Sequence, residues 1–147
     1  MSPTIHALVG AAIGRFVRYP GEALLAGIAS HAVLDCLPHR DSRHPAVLLV
    51  HACGVLAVAA AAFAAGDSAA LAGAVGGVLP DLENVREKQP ADQIFPGHRF
   101  RHDRFAVGLS LGVELLLAAG AALALAATHP APAARPSHRK TLQGVLK

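Results

Sequence analysis

The stretch AVLLVHACGVLAVAAAAFAA, from Ala46 to Ala65, is apolar throughout except for His51. A helix needs about 20 consecutive apolar residues to cross the hydrocarbon core of a bilayer. This stretch therefore predicts a transmembrane helix. A second run, from Phe105 to Ala127, is apolar apart from Ser110 and Glu114 and predicts another.

The composition agrees with a membrane protein. Hydrophobic residues make up 53% of the 147 residues, and charged residues only 16%, whereas a soluble domain averages about 25% charged residues. The formal charge is +3, but the basic residues lie in connections between apolar runs and near the C-terminus, as they do beside membrane helices. We therefore expect membrane lipid, and not nucleic acid, as the partner. Cys36 and Cys53 lie in apolar stretches without paired spacing and predict small buried side chains.

Three shorter apolar segments are predicted to be helices packed against other helices through small residues. They are rich in Gly and Ala, and small residues four apart, such as Ala23 with Gly27 and Ala72 with Gly76, illustrate the pattern. The predicted fold is an all-α membrane bundle of about five helices, two of them long spans. Residues 1–128 form one membrane-embedded domain, and residues 129–147 form a disordered basic tail rich in Pro and Ala. The three segments are Thr4 to Val17, Glu22 to Leu37, and Ser68 to Leu79.

Ionisable residues interrupt the second segment. Residues 29–41 read ASHAVLDCLPHRD and contain His31, Asp35 and His39. A charged side chain in hydrocarbon costs about 2.5–3.5 kcal/mol even on lenient scales, and such residues usually pair, bind an ion or line a cavity. His31 and Asp35 are four residues apart, so on a helix they share one face. Imidazole nitrogen and carboxylate oxygen are ligands of zinc.

Alternate threading of the five segments brings the other candidate ligands to the same membrane face. These candidate histidines and aspartates are more numerous than the ligands that one ion takes. The sequence therefore predicts a site for one or two divalent metal ions, with Zn²⁺ as the expected metal. The predicted ligands are His6, His31, Asp35, His39, Asp81, His98 and His102.

Several of these residues have a second interpretation. His6 fits a buried polar group as well as a ligand, and Asp81 fits a turn after Pro80. His98 and His102 fit solvated positions near lipid head groups. His51 and Glu114 could pair or extend a polar cavity, which leaves open a non-enzymatic bundle that handles ions or protons or serves as a scaffold.

Four short motifs resemble the small bacterial inner-membrane metal-dependent hydrolases, a family considered distantly related to zinc-dependent phospholipase C. The resemblance covers about residues 3–102, and the chain departs from the family pattern where Glu83-Asn84 replaces Asp-His. The motifs are PTIH (3–6) followed by Gly10, SHAVLDCLPH (30–39), GVLPDLE (77–83) and GHR (97–99).

The resemblance implies a helical protein whose histidines and carboxylates surround a metal in the bacterial inner membrane, which the chain crosses several times. The implied activity is metal-dependent hydrolysis of an ester, with a phosphoester of a lipid or lipid-linked molecule as the substrate. Asp81 and Arg99 are the predicted catalytic residues, because a guanidinium beside the metal neutralises phosphate charge. A soluble partner-binding domain is the least favoured alternative, since it requires both long apolar segments to be buried.

Overall fold

The described part of the chain folds into five α-helices and one 3-10 helix. The computed structural model describes residues 1–39, 42, 44–85, 94–95 and 107–127, and these residues contain no β-strand. The prediction of an all-α fold with about five helices is therefore confirmed. The boundaries of the predicted domain and tail lie beyond Ala127, outside the described residues. The α-helices are α1 (Pro3–Gly14), α2 (Pro20–Leu34), α3 (Pro45–Ala64), α4 (Ser68–Val78) and α5 (Val107–Ala127), and the 3-10 helix is Leu79–Val85.

Proline and aspartate determine where the helices begin. Pro3, Pro20 and Pro45 occupy the first turns of α1, α2 and α3, where a fixed φ helps and a missing N–H costs nothing. Helix α2 thus begins at Pro20, two residues before the predicted segment that starts at Glu22. Asp67 caps α4 by accepting a hydrogen bond from the Ala70 amide at 2.8 Å.

Helix α4 lies between α1 and α2, and glycine allows the backbones to touch. A Cβ atom added to Gly73 would lie 2.1 Å from the carbonyl oxygen of Gly10, and one added to Gly76 would lie 2.2 Å from that of Leu24. Such distances exclude any side chain, so these contacts join backbone to backbone. Gly77 meets the carbonyl of His6 in the same way, which makes α1 and α4 antiparallel.

The two long helices lie on the outside of this three-helix core. Helices α3 and α5 are long and apolar enough to cross a membrane, and only 6% and 11% of their most apolar 18-residue windows are buried. Both pack on α1. The remaining apolar surface has no protein neighbour in the described chain. Cys36 and Cys53 are exposed, so the prediction that they are buried in protein is wrong.

An ion pair joins the C-terminal end of α1 to the turn before α4. Arg15, which follows α1, places its Nε 2.9 Å from Asp67 Oδ2 and also donates to the carbonyl oxygen of Leu125 near the end of α5. One guanidinium therefore connects α1, α5 and the turn before α4.

The interior is built from small apolar residues and imidazoles. One core cluster consists of Ala7, Ala11, Ala62, Ala70 and Ala74. The largest fully buried side chains are the imidazoles of His6, His31 and His39 and the ring of Pro80. Buried polar groups need partners, so the three buried imidazoles mark the candidate functional site of this bundle.

Candidate metal centre

The buried histidines meet where three helix ends converge. His6 lies in the first half of α1, His31 lies in the last turn of α2, and Asp35 directly follows that helix. The close contact of α1 and α2 with α4 brings these ends together and adds the 3-10 helix, which carries Asp81. The structure therefore brings His6, His31, Asp35 and Asp81 close together, while the membrane face that the alternate threading assigns to them stays a prediction.

Asp35 is the centre of the cluster. Its Oδ1 lies 3.2 Å from His6 Nε2, and its Oδ2 lies 3.1 Å from His31 Nε2. One ligand atom from each of these three residues lies within 4.8 Å of the others, and all three residues are buried. Two imidazole nitrogens and a carboxylate at this spacing could hold one metal ion.

Two further predicted ligands lie just outside this group. The Nε2 of His39 is 4.0 Å from Asp35 Oδ1, and the Oδ1 of Asp81 is 4.0 Å from His31 Nε2. His39 is fully buried, whereas Asp81 is 16% exposed. Both can approach a cation held by the central three residues.

Backbone carbonyls fix the orientation of two of the rings. The Nδ1 of His31 is 2.7 Å from the Gly77 carbonyl oxygen, and the Nδ1 of His39 is 2.8 Å from that of Leu37. A carbonyl only accepts, so each Nδ1 carries the proton and donates. In a neutral ring the lone pair then lies on Nε2, which is the atom that faces Asp35.

This orientation is the one that metal-binding histidines adopt. Such a histidine commonly donates its second ring N–H to a backbone carbonyl, which fixes the tautomer and the ring direction. The Nε2 lone pair of a neutral His31 would be repelled by Asp35 and Asp81 unless a proton or a cation lay between them. The residues present therefore fit a divalent metal ion.

The rings of His6 and His31 are stacked. Their centroids are 3.9 Å apart, and their planes differ by 21°. Stacking places both Nε2 atoms on the same side, toward the two oxygens of Asp35. The Nδ1 of His6 has no hydrogen-bond partner within the described part of the chain.

Burial and the Asp35 charge determine the protonation of the cluster, which lies outside α3 and α5. Burial lowers the pKa of His6 to about 4, so this ring is neutral at pH 7. Burial also acts to lower the pKa of His31, but the hydrogen bond to Asp35 and its negative charge outweigh that effect and raise the pKa. Burial disfavours the charged form of Asp35, yet hydrogen bonds from His31 and His6 keep the pKa of Asp35 far below its usual value. Asp35 is therefore a carboxylate at neutral pH.

The remaining predicted site residues are not placed. His98, His102 and Arg99 lie outside the described residues, so their roles stay predictions. Glu83 accepts a hydrogen bond from the Phe95 amide at 3.1 Å. The Phe95 ring centroid is 6.3 Å from that of His31, so Glu83 positions a residue beside the cluster.

The polar residues of the long helices lie apart from the central three. His51 is next to α1, where its Nδ1 is 3.4 Å from Thr4 Oγ1, and that hydroxyl also donates to the His51 carbonyl oxygen. Glu114 is half-buried on α5. Helix α5 approaches the start of α1 through Val113 and Leu117, which pack near Ile5.

Sequence reasoning missed two components of the site. The amino group of Met1 is 3.4 Å from Asp35 Oδ1, and no sequence signal indicates this contact. The Gly77 carbonyl accepts a hydrogen bond from His31, and here a sequence signal exists, because Gly73 and Gly77 are four residues apart and mark a face of close helix contact.

No family model, curated protein or solved structure matches the chain.

Proposed function

We propose that this protein is a metal-dependent hydrolase of the bacterial inner membrane, anchored by α3 and α5, that cleaves a phosphoester of a lipid or lipid-linked molecule. His6, His31 and Asp35 hold a divalent cation, with Zn²⁺ as the first choice, and His39 and Asp81 complete the ligand set or hold a second ion. The motif resemblance supplies the reaction class. The geometry of the cluster supplies the reason to assign it to these residues.

One observation carries the proposal. The Nε2 atoms of His6 and His31 lie 3.2 and 3.1 Å from the two oxygens of one buried carboxylate, and the opposite nitrogen of His31 is bound by a backbone carbonyl. Buried ionisable groups are costly and need compensation. A cation among these atoms compensates the Asp35 charge and uses both imidazole lone pairs.

The position of the cluster favours hydrolysis over conduction. Thr4 contacts His51 in the second turn of α3, and Ile5 lies near Val113 in the second turn of α5. The start of α1, and with it the cluster, is thus level with the beginning of both spans. A site near the membrane surface can receive water and a lipid head group, whereas a conduction path needs polar groups along the whole span.

The roles of the residues follow from their chemistry. A divalent ion held here would supply Lewis acidity that activates water and polarises a phosphoryl oxygen. Asp81 is the least buried of the described acidic groups around His31 and is placed to exchange a proton with water entering the site. Arg99, by the motif resemblance, neutralises the phosphate charge.

Metal content is the direct test. Protein purified in mild detergent without chelator should contain one or two zinc ions per chain by mass spectrometry. His31→Ala and Asp35→Ala should lower metal affinity by more than about tenfold. His51→Ala, which removes a histidine outside the cluster, should retain the metal. Equal metal content in all four proteins would refute the metal site.

Hydrolysis is tested on the same samples. Bis(4-nitrophenyl) phosphate should be cleaved by the zinc-loaded protein, cleavage should stop after chelation, and added Zn²⁺ should restore it. Co²⁺ substitution gives an independent measurement, because its visible absorption reports the coordination even if a variant is inactive. Stoichiometric metal without cleavage of any phosphoester would keep the metal site and overturn the hydrolase.

A further inference from the structure

We infer that the groove between α3, α4 and the 3-10 helix binds an acyl chain of the substrate, an inference that rests on the proposed phosphoester hydrolysis. The groove has a volume of about 170 Å³, and every side chain that lines it is aliphatic. The lining includes Val55 and Ala59 of α3, Val75 and Val78 of α4, and Leu79 and Leu82 of the 3-10 helix.

The groove is matched to hydrocarbon and not to water. Val75, Leu79 and Leu82 are 48%, 41% and 59% exposed, which is unfavourable for large aliphatic side chains facing solvent. One wall is α3, whose most apolar window is only 6% buried and which is apolar enough to lie in lipid. An alkyl chain can therefore enter the groove sideways from the membrane.

The size of the groove indicates how much of a chain it holds. An aliphatic cavity of about 150 Å³ accommodates a benzene-sized molecule of six carbons. The groove is slightly larger, so it holds a segment of roughly six carbons and not a whole lipid. The rest of the chain would remain in the bilayer.

The 3-10 helix connects the groove with the metal centre. Leu79 and Leu82 are three residues apart and share one face of that helix, and both line the groove. Asp81 stands between them in sequence but faces the other way, with Oδ1 4.0 Å from His31 Nε2. A single turn thus separates the hydrocarbon-binding wall from the cluster, as a substrate with a phosphate head and an alkyl tail requires.

A binding experiment tests the groove without catalysis. The chain contains no Trp, so Leu82→Trp introduces one indole in the groove, and Leu56→Trp introduces one on the exposed surface of α3 as a control. Both proteins are placed in phosphatidylcholine nanodiscs and titrated with 6-bromohexyl phosphate, whose bromine quenches indole fluorescence. Saturable quenching is expected for Leu82→Trp, and only weak, non-saturating quenching for Leu56→Trp.

A second substitution tests whether the groove itself is responsible. Val75→Phe narrows the groove and should weaken the quenching of the Leu82→Trp protein, whereas Val50→Phe, at an exposed position of α3 outside the groove, should not. Linear quenching of both indoles, unchanged by Val75→Phe, would show simple partition into the bilayer and overturn the inference.

Cleavage of 4-nitrophenyl alkyl phosphates separates this inference from the proposed function. Because each buried methylene adds a favourable contribution, kcat/KM should rise about three- to fourfold per carbon up to roughly six carbons, and Val75→Phe should flatten that rise, whereas Val50→Phe should not. Cleavage independent of chain length would overturn the groove and keep the hydrolase. Saturable quenching with no cleavage of any ester would keep the alkyl-binding groove and overturn the hydrolase.

Discussion

Asp35 is a charged carboxylate in the interior of the protein. It is 3% exposed and still ionised, because His6 and His31 contact its two oxygens and the Met1 amino group lies 3.4 Å away. Removing one partner of a buried charge pair leaves the other uncompensated, which is far more costly than losing an exposed ion pair. The stability of the metal-free protein should therefore depend strongly on this carboxylate.

Asp35→Asn should lower the free energy of unfolding by about 3–5 kcal/mol in the metal-free protein. The amide keeps the size of the side chain but cannot offer two negative oxygens to the imidazoles. Glu22→Gln, at an exposed position in the first turn of α2, is the matched control and should cost at most about 1 kcal/mol. Thermal denaturation in detergent measures both, and equal melting temperatures for the two variants would contradict the central role of Asp35.

At the scale of residues, the sequence identifies part of the buried cluster because residue chemistry and spacing coincide. His31 and Asp35 stand out in the sequence because they are four residues apart and lie in an apolar segment. The structure places their side chains in contact. For His6 the sequence leaves a ligand and a buried polar group equally open, since its placement beside Asp35 depends on the contact of α1 with α4. The contact of the Met1 amino group with Asp35 could not be predicted, because no residue pattern in the sequence indicates it.

At the scale of helices, glycine decides how the elements pack. Helix α4 meets α1 and α2 through Gly73, Gly76 and Gly77, where an added Cβ would lie 2.1–2.2 Å from a facing carbonyl oxygen. The glycines of α5 are different, since a Cβ on Gly108, Gly112 or Gly120 would meet nothing within 4 Å. The same residue type thus serves contact in one helix and faces open space in another.

Gly73→Ala should strongly destabilise the bundle, because its Cβ would overlap the Gly10 carbonyl and push α1 away from α4. Gly112→Ala should be neutral or stabilise α5 by up to about 1 kcal/mol, since alanine favours helix over glycine. Thermal denaturation followed by circular dichroism compares the pair. Equal effects would show that the close approach of α1 and α4 is not needed for stability.

Sequence predicts the helices better than their contacts. The long apolar runs and the Pro residues define five helices, but α2 ends at Leu34, well before Pro38, because proline restricts a helix without fixing its last residue. Gly27 and Gly76, each part of a predicted small-residue pair, lie where α2 meets α4. Gly10 and Gly73 make an equally close contact, and each begins a pair of glycines four residues apart, but the sequence does not show which pairs face each other.

At the scale of the whole molecule, the arrangement suits a lipid environment. The three short helices hold the buried cluster, and α3 and α5 add apolar surface with little burial on the isolated chain. Exposed leucines such as Leu116 and Leu123 on α5, at 76% and 71% exposure, are unfavourable in water but not in hydrocarbon.

Cys53, exposed near the middle of α3, gives a direct test of this orientation. In membranes from a Cys36→Ser background, a water-soluble maleimide should not label Cys53, because the thiol faces hydrocarbon, which a water-soluble reagent does not enter. Labelling should appear after denaturation in detergent. The control is Ser42→Cys, at a position before α3 begins, in a chain that lacks both native cysteines. This cysteine should be labelled without detergent, in membranes opened so that the reagent reaches both faces. Rapid labelling of Cys53 before denaturation would place α3 in water.

The backbone contacts of α4 have a consequence for how this sequence can change over evolutionary time. Lipid-facing positions of α3 and α5 can drift among aliphatic residues, because fluid acyl tails adapt to any shape. The facing glycines cannot drift singly, since each is confined by the peptide units of its neighbour. Among homologues, the shortest of the five α-helices should accordingly diverge least, and the two longest should diverge most.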